Sequence, residues 1–508
     1  RHNVHAVQIA RLRLFLKMVA VVEADRKLEN LGLDPLPDID FNIRSGNTLV
    51  GFATLKELKK ALSEAQGDFL QQIAAQNFGA KIREDCVNVS KLFNNFRALQ
   101  NNAERSDDIK AAKAELQAAL KTLNKNLNAL MAKQNGVNTD ELGAVEYYKY
   151  LEKVKPFHWI AEFYEIIIKR GGFDVIIGNP PYVNIKSIDY ISDKKFCSDL
   201  YAFVLKRTFS VMQPNGRQGF IVMHNLAFSR DFKNLRTLLK KQNGQFWFSF
   251  YGRIPSGLFA GDVRVRNCIY IYSPTQGKSY TTRLHRWFAE YRDTLFQLVR
   301  YSQFEWKEVV PMFNSQVLAD FFNSVSEFPS AIKSKKSGTP IYFKKIGYNW
   351  ITATEKAAPC YDGNTGKEIE QSELGIIQAS ENDVASMVLF FCGKMFFTYW
   401  LTYGDEFHVT RDTLLSFYPN LEKLTEQEIT EINELYKQFK ARLDSTVSFK
   451  LNAGKRVGTY QTATMWDLTD KSDMIFLRHL TDKPEIVREA IEENVVESVV
   501  TGKNDTEK

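Results

Sequence analysis

Short apolar runs alternate with amphipathic segments in the middle of the chain. Runs typical of buried strands occur at 173–177, 219–223, 245–250 and 267–272. Between them, residues 199–212 and about 230–241 carry the apolar spacing of helices, and Pro214-Asn215-Gly216-Arg217 predicts a turn before the second strand. Strands and helices that alternate in this way predict an α/β fold with a doubly wound parallel sheet, whose last two strands form an antiparallel pair.

Residues 54–145 have a different composition, rich in Lys, Glu, Ala, Gln, Asn and Leu and nearly free of proline. Within them, 109–120 place apolar residues three and four positions apart, which is the pattern of an amphipathic helix. We therefore predict two or three long helices, arranged as an antiparallel hairpin that is inserted into a domain. Nothing in this segment indicates catalysis.

The two ends of the chain add further elements. The stretch from Ile9 to Val22 predicts an amphipathic helix, and 40–44 predict a short strand. After residue 274, aromatic and basic residues interleave, 362–366 resemble a hairpin tip, and 426–442 predict a helix with Thr425 as its N-cap. The expected domains are 1–53 and 146–274 for the sheet, 54–145 for the helical insertion, 275–500 for a second α/β domain, and 501–508 for a disordered tail.

Composition narrows the functional classes only in part. The 508 residues are 44% apolar and 25% charged, with a net charge of +7, which permits a polyanionic partner without requiring one. No apolar run is long enough to predict a membrane span. Five cysteines are scattered singly and seven histidines show no ligand spacing, so we expect neither a metal site nor a disulfide framework, and a cytoplasmic protein.

The tetrapeptide Asn179-Pro180-Pro181-Tyr182 follows the strand-like run 173–177 through Gly178. Neither proline can donate a backbone hydrogen bond, so this turn offers carbonyl oxygens and the Asn179 amide oxygen as acceptors. Acceptors beside an aromatic ring suit a substrate that carries an NH2 group on a flat ring. The other interpretation is a structural turn with a core tyrosine. The end of a strand is where open α/β sheets place their ligands, which favours the functional interpretation.

Several short sequence motifs occur in the same order as in one protein family. Residues 6–14, 42–51, 173–182, 199–201 and 216–222 resemble successive motifs of the gamma-class N6-adenine DNA methyltransferases, and most of all the methylase part of single-chain type IIG-like restriction–modification and phage-exclusion enzymes. The resemblance covers about 1–53 and 145–275. It implies a Rossmann-like methyltransferase sheet, S-adenosyl-L-methionine as cofactor, and double-stranded DNA as partner. By position, the C-terminal α/β domain would recognise the target sequence.

The resemblance also implies roles for single residues. Asn179 and Pro180 would accept the hydrogens of the adenine amine, with Pro181 completing the turn and Tyr182 stacking on a base that has left the duplex. Phe259 would cover the opposite face of that base, although a core phenylalanine fits its sequence equally well. Asn47, together with Asn179, would approach the cofactor; a turn-capping asparagine is the alternative for Asn47.

Basic residues are weaker candidates, because a single arginine or lysine is most often a solvated surface charge. The phosphate-contact candidates are Lys186, Arg253, Arg264, Arg266, Arg283, Arg286, Lys455 and Arg456.

The chain departs from the family at its start. The glycine-rich cofactor loop is expected upstream of Arg1, and the acidic residue that would hold the cofactor ribose falls on Arg1 itself. We therefore expect either a piece of an active methyltransferase or an inactive DNA-binding homologue. No Asp/Glu-x-Lys nuclease cluster is evident, so any nuclease would lie in a region or subunit outside this chain. Methyltransferases acting on RNA or on a protein glutamine share the tetrapeptide and are a third possibility.

Overall fold

The computed structural model describes residues 4–23, 27, 41–64, 69–100, 106–139, 144–259, 265–297, 299–313, 315–325, 337–347, 350–417 and 419–503. The chain divides into two compact units, Arg1–Gln218 and Gly219–Lys508. The helices of the first unit are α1 (Val4–Ala20), α2 (Leu55–Glu64), α3 (Phe69–Gln100), α4 (Ser106–Gln134), α5 (Ala144–Val154), α6 (Trp159–Glu162) and α7 (Leu200–Val211). Its strands are β1 (Phe173–Gly178) and the beginning of β2 (Met212–Met223).

The predicted helical insertion folds as a hairpin of α3 and α4, with α2 packed against both. On α4, one apolar stripe is buried because its members recur four and three residues apart, as in Leu116, Leu120, Leu123 and Leu127. Each such leucine contributes roughly 1.5–3 kcal/mol on burial. The stripe shares one core with Phe52 and with residues of α6. The hairpin is therefore an integral part of the first unit.

His158 joins the helical insertion to the segment that contains Asn47. Its Nδ1 accepts a hydrogen bond from the backbone N–H of Phe52 at 3.1 Å, and its Nε2 lies 3.0 Å from Oδ1 of Asn128 on α4. Since Nδ1 accepts, Nε2 is the nitrogen that carries the proton. The ring also stacks on Phe52, with centroids 5.3 Å apart. His158 thus has a structural role in the first unit.

The strands of the second unit are the end of β2, β3 (Gln245–Tyr251), β4 (Asn267–Ser273), β5 (Ser279–His285), β6 (Ser302–Phe304), β7 (Thr339–Lys344), β8 (Ala353–Thr354), β9 (Cys360–Asp362), β10 (Leu374–Ala379), β11 (Val447–Asn452) and β12 (Lys455–Tyr460). Its helices are α8 (Lys233–Lys240), α9 (Gln316–Val325), α10 (Val384–Phe391), α11 (Lys394–Tyr403), α12 (Arg411–Leu415), α13 (Glu426–Leu443), α14 (Trp466–Leu480) and α15 (Pro484–Lys503).

Strands β3 to β6 form one mixed sheet, in which β3 pairs antiparallel with β4 and parallel with β5, and β5 pairs antiparallel with β6. The register places Tyr251, at the end of β3, opposite both Asn267 and His285. Strand β2 lies beside β4, because Nδ2 of Asn267 donates to the Val222 carbonyl at 3.5 Å. In the first unit, β1 lies beside the start of β2, where Gly216 approaches Phe173 too closely for a side chain.

Two small antiparallel sheets, β10-β7-β8 and β11-β12-β9, belong to the C-terminal part of the second unit. Helices α10 and α11 are almost fully buried there. The predicted N-cap of α13 is confirmed, since Thr425 and Glu428 form a reciprocal capping box. Among the described helices, none is by itself long and apolar enough to cross a membrane, although the bent pair Glu381–Phe391 and Lys394–Tyr403 meets those criteria together.

Most predicted elements are confirmed, namely the α/β class, the strands at 173–177, 219–223, 245–250 and 267–272, their antiparallel final pair and the helices between them. Two predictions are wrong. The described part of 40–44 forms turns rather than a strand, and 214–217 lie inside β2 rather than in a turn.

Two predicted boundaries also differ from the observed elements. Strands β5 and β6 belong to the same sheet as β3 and β4, so a domain boundary at 274 falls inside that sheet. Helix α15 extends to Lys503, so the predicted tail begins inside a helix, and 504–508 lie outside the described residues.

Candidate active site

The tetrapeptide lies where β1 ends, immediately after Gly178. Asn179 and Pro181 are exposed and Pro180 is buried. Within the part of the chain that the structure describes, the Asn179 side chain makes no hydrogen bond. Val175 and Ile177 of β1 are also exposed, at 58% and 78%. An amide presented in this way at the end of a strand can accept a hydrogen bond from a ligand without breaking one of its own.

The segment after the tetrapeptide is pinned to the start of α7. The Ile185 N–H donates to the Ser198 carbonyl at 2.9 Å, and the Leu200 N–H donates to the Val183 carbonyl at 2.8 Å. Tyr182 packs edge-on against Tyr201, with ring centroids 6.2 Å apart and planes at 80°. Because Tyr201 is fully buried, it forms a fixed wall for the half-exposed Tyr182 ring. The backbone of the loop and the direction of its aromatic ring are thus held by α7.

Asn47 occupies a more enclosed position in the first unit, with 9% of its surface exposed. Its backbone N–H donates to the Lys155 carbonyl at 2.8 Å, and its Oδ1 accepts the Leu49 N–H at 3.2 Å. Its side chain also hydrogen-bonds the Tyr190 hydroxyl, which lowers the Tyr190 pKa against the larger rise caused by burial. These contacts are those of a turn-capping residue. A cofactor role for Asn47 stays a prediction.

Two cavities formed by described residues of the first unit are not lined by the tetrapeptide. One cavity of about 820 Å³ lies between α3 and the segment 161–170, and its lining includes Arg44, Arg97 and Glu165. Another, of about 520 Å³, lies beside Leu49–Phe52 and Tyr190. We give the tetrapeptide more weight than either cavity, because its exposed acceptors supply a chemical reason for binding and the cavities supply only volume.

Phe259 belongs to the second unit and is half-buried. Its loop is anchored, since Arg292 donates to the carbonyls of Gly257 at 3.1 Å and Leu258 at 3.0 Å. Tyr182 belongs to the first unit. A sandwich of one base between these two rings therefore stays a prediction.

The predicted phosphate contacts have different environments. Lys186, Arg253, Lys455 and Arg456 are exposed, and Arg456 stacks on Phe449 with its guanidinium 4.4 Å from the ring centroid. Arg266 and Arg283 are partly buried, and the side chain of Arg286 is only 6% exposed. Arg264 lies outside the described residues. The exposed members can reach a phosphate as they stand, whereas Arg286 would first have to leave a buried ion pair.

Sequence reasoning missed the partner of that ion pair. Glu406 is 6% exposed and accepts a hydrogen bond from Arg286 at 3.4 Å. Burial raises the Glu406 pKa, while Arg286, Arg266 and Arg283 oppose that rise. The acidic pair Asp405-Glu406 after Gly404 was visible in the sequence, but nothing in the sequence places it beside three arginines that lie more than 100 positions earlier. Among the described residues, no group of three or more His, Cys, Asp or Glu side chains could hold a metal ion.

Comparison with known proteins confirms the resemblance to restriction–modification methylases. Residues 2–253 match the family described as "Eco57I restriction-modification methylase". Residues 2–253 of the chain belong to this methylase family. The match includes the tetrapeptide, its strand, the helical insertion and the segment with Asn47.

A relative in Methanocaldococcus jannaschii, named "Putative type II restriction enzyme and methyltransferase RM.MjaORFECS2P", is 26% identical over 337 residues. The alignment covers 54% of this chain and 25% of the relative, so the chain spans about a quarter of that protein's length. Among solved structures, the type IIL restriction-modification enzyme MmeI in complex with DNA is 12% identical, with 75% of this chain and 64% of that chain covered. The type IIG restriction endonuclease BpuSI is 8% identical, with coverages of 65% and 54%. Their TM-scores are 0.38 and 0.22, too low to support any conclusion.

Proposed function

We propose that the chain is part of a site-specific DNA methyltransferase that methylates N6 of an adenine flipped out of the duplex, in a restriction–modification or phage-defence system. Its double-stranded DNA would be recognised by the C-terminal part of the chain. The observation that carries this proposal is the exposed Asn179 amide at the end of β1, beside a tyrosine ring held by α7. Membership of a restriction-modification methylase family supports it.

The chemistry follows from the nature of the adenine amine. Its lone pair is delocalised into the ring, so N6 is a poor nucleophile until its geometry becomes tetrahedral. The Asn179 side-chain oxygen and the Pro180 carbonyl accept the two amine hydrogens and hold N6 in that geometry. This is positioning and electrostatic stabilisation, without prior removal of a proton. Tyr182 stacks on the base, which stabilises the flipped state by about 1–3 kcal/mol.

S-adenosyl-L-methionine would supply the methyl group as an electrophile: the bond between methyl and sulfur would break as the bond to N6 forms, a neutral thioether would leave, and the methylated amine would then lose one proton to solvent. The described residues fit this cofactor only in part. Asn179 is exposed and has no competing contact, whereas Asn47 is enclosed and its amide oxygen already accepts the Leu49 N–H. We therefore assign no step of the reaction to residues that hold the cofactor.

The test is the pattern of N6-methyladenine in host DNA, compared between strains with the intact gene, without it, and with Asn179→Ala. We expect one adenine-containing sequence to be methylated only with the intact gene, because Asn179→Ala removes an acceptor for the amine. Asn215→Ala is the matched control, since Asn215 is also exposed in the first unit and distant in sequence from the loop. Purified Asn179→Ala protein should still bind DNA.

Two outcomes would contradict the proposal. If no sequence gains methyl groups with the intact gene but the protein binds DNA, the chain is the inactive homologue, an interpretation that the enclosed Asn47 favours. If Asn179→Ala loses DNA binding together with methylation, Asn179 has a structural role.

A further inference from the structure

Five chain segments of the second unit meet at one edge of its large sheet. The register places the ends of β3 and β5 and the beginning of β4 side by side, through Tyr251, His285 and Asn267. The His224 N–H, just after β2, donates to the Arg266 carbonyl at 3.1 Å. The loop 404–408, between α11 and α12, is the fifth segment. The carboxyl ends of parallel strands are the ligand-binding edge of an α/β sheet, so we call this place the substrate edge.

Three arginines from two of these segments, the end of β5 and the beginning of β4, surround Glu406. Arg286, after β5, donates to its carboxylate at 3.4 Å. Arg266, before β4, donates to the carbonyls of Asp405 at 2.5 Å and Glu406 at 3.3 Å. Arg283 lies close enough for its charge and that of Glu406 to act on each other's pKa. Within these described residues, three guanidinium groups therefore face one buried carboxylate.

The Phe407 ring contacts both a partly buried arginine of this cluster and an exposed arginine outside it. The guanidinium of Arg266 lies 5.6 Å from the centroid of its ring and that of the exposed Arg253 lies 5.8 Å from the same centroid. The pKa of Arg266 is lowered, first by burial and then by the charges of Arg253 and Arg286, against the opposing effect of the acidic groups. Positive charge is thus concentrated at the substrate edge, where an anion would relieve it.

A second observation points to a ligand. His224 is 9% exposed and its Nε2 has no hydrogen-bond partner among the described residues. Burial and the nearby Arg266 lower its pKa to about 3, against the opposing effects of the Asp405 charge and of a hydrogen bond between the ring and the Asp405 backbone, so the ring is neutral at physiological pH. A buried polar nitrogen without a partner is rare in folded proteins, and here it lies beside the arginines.

We propose that Glu406 is a positioning residue that holds Arg266, Arg286 and the Phe407 ring in place, so that Arg253 and Arg266 bind one phosphate of the DNA backbone at the substrate edge. The inference rests on the proposed DNA methyltransferase function and deepens it. Glu406 belongs to the part of the chain expected to recognise the target, and its arginines belong to the sheet. The ion pair therefore connects the part of the chain expected to recognise the target with the large sheet of the second unit.

The test measures the affinity of the full chain for a fluorescently labelled 30-base-pair duplex over a series of salt concentrations. Each phosphate contact contributes about 0.9 to the slope of log K against log salt. We expect Arg253→Ala to reduce that slope by about 0.9. Arg478→Ala, an exposed arginine in the last turn of α14, is the matched control and should keep the wild-type slope.

Glu406→Gln tests the positioning role. The variant keeps every arginine in the sequence. If Glu406 is only structural, the variant lowers stability and keeps the salt slope; if Glu406 positions the arginines, the variant also reduces the slope. If Glu406→Gln fails to fold, the salt slope of Arg253→Ala tests the inference by itself, because Arg253 is exposed and its replacement should not disturb folding. A wild-type slope in Arg253→Ala would overturn the inference and leave the proposed function intact. Failure of the wild-type chain to bind any duplex, by contrast, would overturn the proposed function as well.

Discussion

The stability of the first unit should depend on pH through His158. This imidazole is 1% exposed, and burial lowers its pKa from 6.5 to about 3. The folded protein then binds fewer protons at His158 than the unfolded chain does whenever the pH lies between these two values. Protonation therefore favours unfolding. The stability that depends on neutral His158 is complete above pH 6.5 and is lost progressively as the pH falls toward 3.

The magnitude follows from the linkage relation, about 1.4 kcal/mol per pH unit for one proton. Between pH 7 and pH 5 the free energy of unfolding should fall by about 2 kcal/mol because of His158. The fall is less than two full pH units would give, because the half unit from pH 7 to pH 6.5 lies above the pKa of His158 in the unfolded chain. The contacts agree with this direction. A protonated Nδ1 could no longer accept the Phe52 N–H, and a buried donor would be left without a partner.

The assay is urea unfolding at pH 7, 6 and 5, followed by fluorine NMR of 5-fluorotryptophan. Trp159 is the one tryptophan in residues 1–218, and its indole N–H donates to the Thr48 carbonyl at 3.0 Å, so its signal reports on the first unit. The comparison is with His158→Gln, in which the other titrating groups are unchanged. We expect the variant to be less stable at pH 7 by about 1–3 kcal/mol and to show a smaller pH dependence.

The result that would refute this reasoning is an equal pH dependence in the wild type and in His158→Gln. It would mean that His158 keeps an ordinary pKa in the folded protein, and that other groups produce any acid destabilisation.

Two further predictions concern the tetrapeptide and the segment with Asn47. Tyr182→Ala should reduce methyl transfer to DNA by about 5- to 150-fold, because a stacking energy of about 1–3 kcal/mol is lost. Tyr182→Phe keeps the ring and should stay close to wild type. An equal loss in both variants would show that the hydroxyl group matters and not stacking. Gly51→Ala should destabilise the first unit by several kcal/mol, measured by the same urea unfolding, because Gly51 has φ +124° and an added Cβ would lie 2.4 Å from the Phe157 carbonyl oxygen. Gly136→Ala is its control, since φ is also positive there and nothing lies within 4 Å; equal losses in the two variants would assign the effect to φ alone.

The local elements of this protein were determined by its sequence to a large extent. The alternation of apolar runs and amphipathic segments predicted β1, β3, β4, α7 and α8, because burial on one face of an element imposes a period that a sequence shows directly. The N-cap at Thr425 was predictable for the same reason, since a capping box joins residues only three positions apart. The tetrapeptide was also visible, because its chemistry resides in four consecutive residues.

Tertiary structure decided what depends on distant residues. Residues 214–217 carry turn-forming residue types, yet they extend β2, because strand pairing outweighs local turn preference. The sequence allowed Asn47 to be a cofactor contact or a cap, and it could not show that Lys155 and Tyr190, more than 100 positions away, enclose this residue. The arginines around Glu406 looked like separate surface charges in the sequence. Only the register of β3, β4 and β5 brings them to one edge of the sheet. The interaction between charges depends on their separation in space, which the sequence does not show.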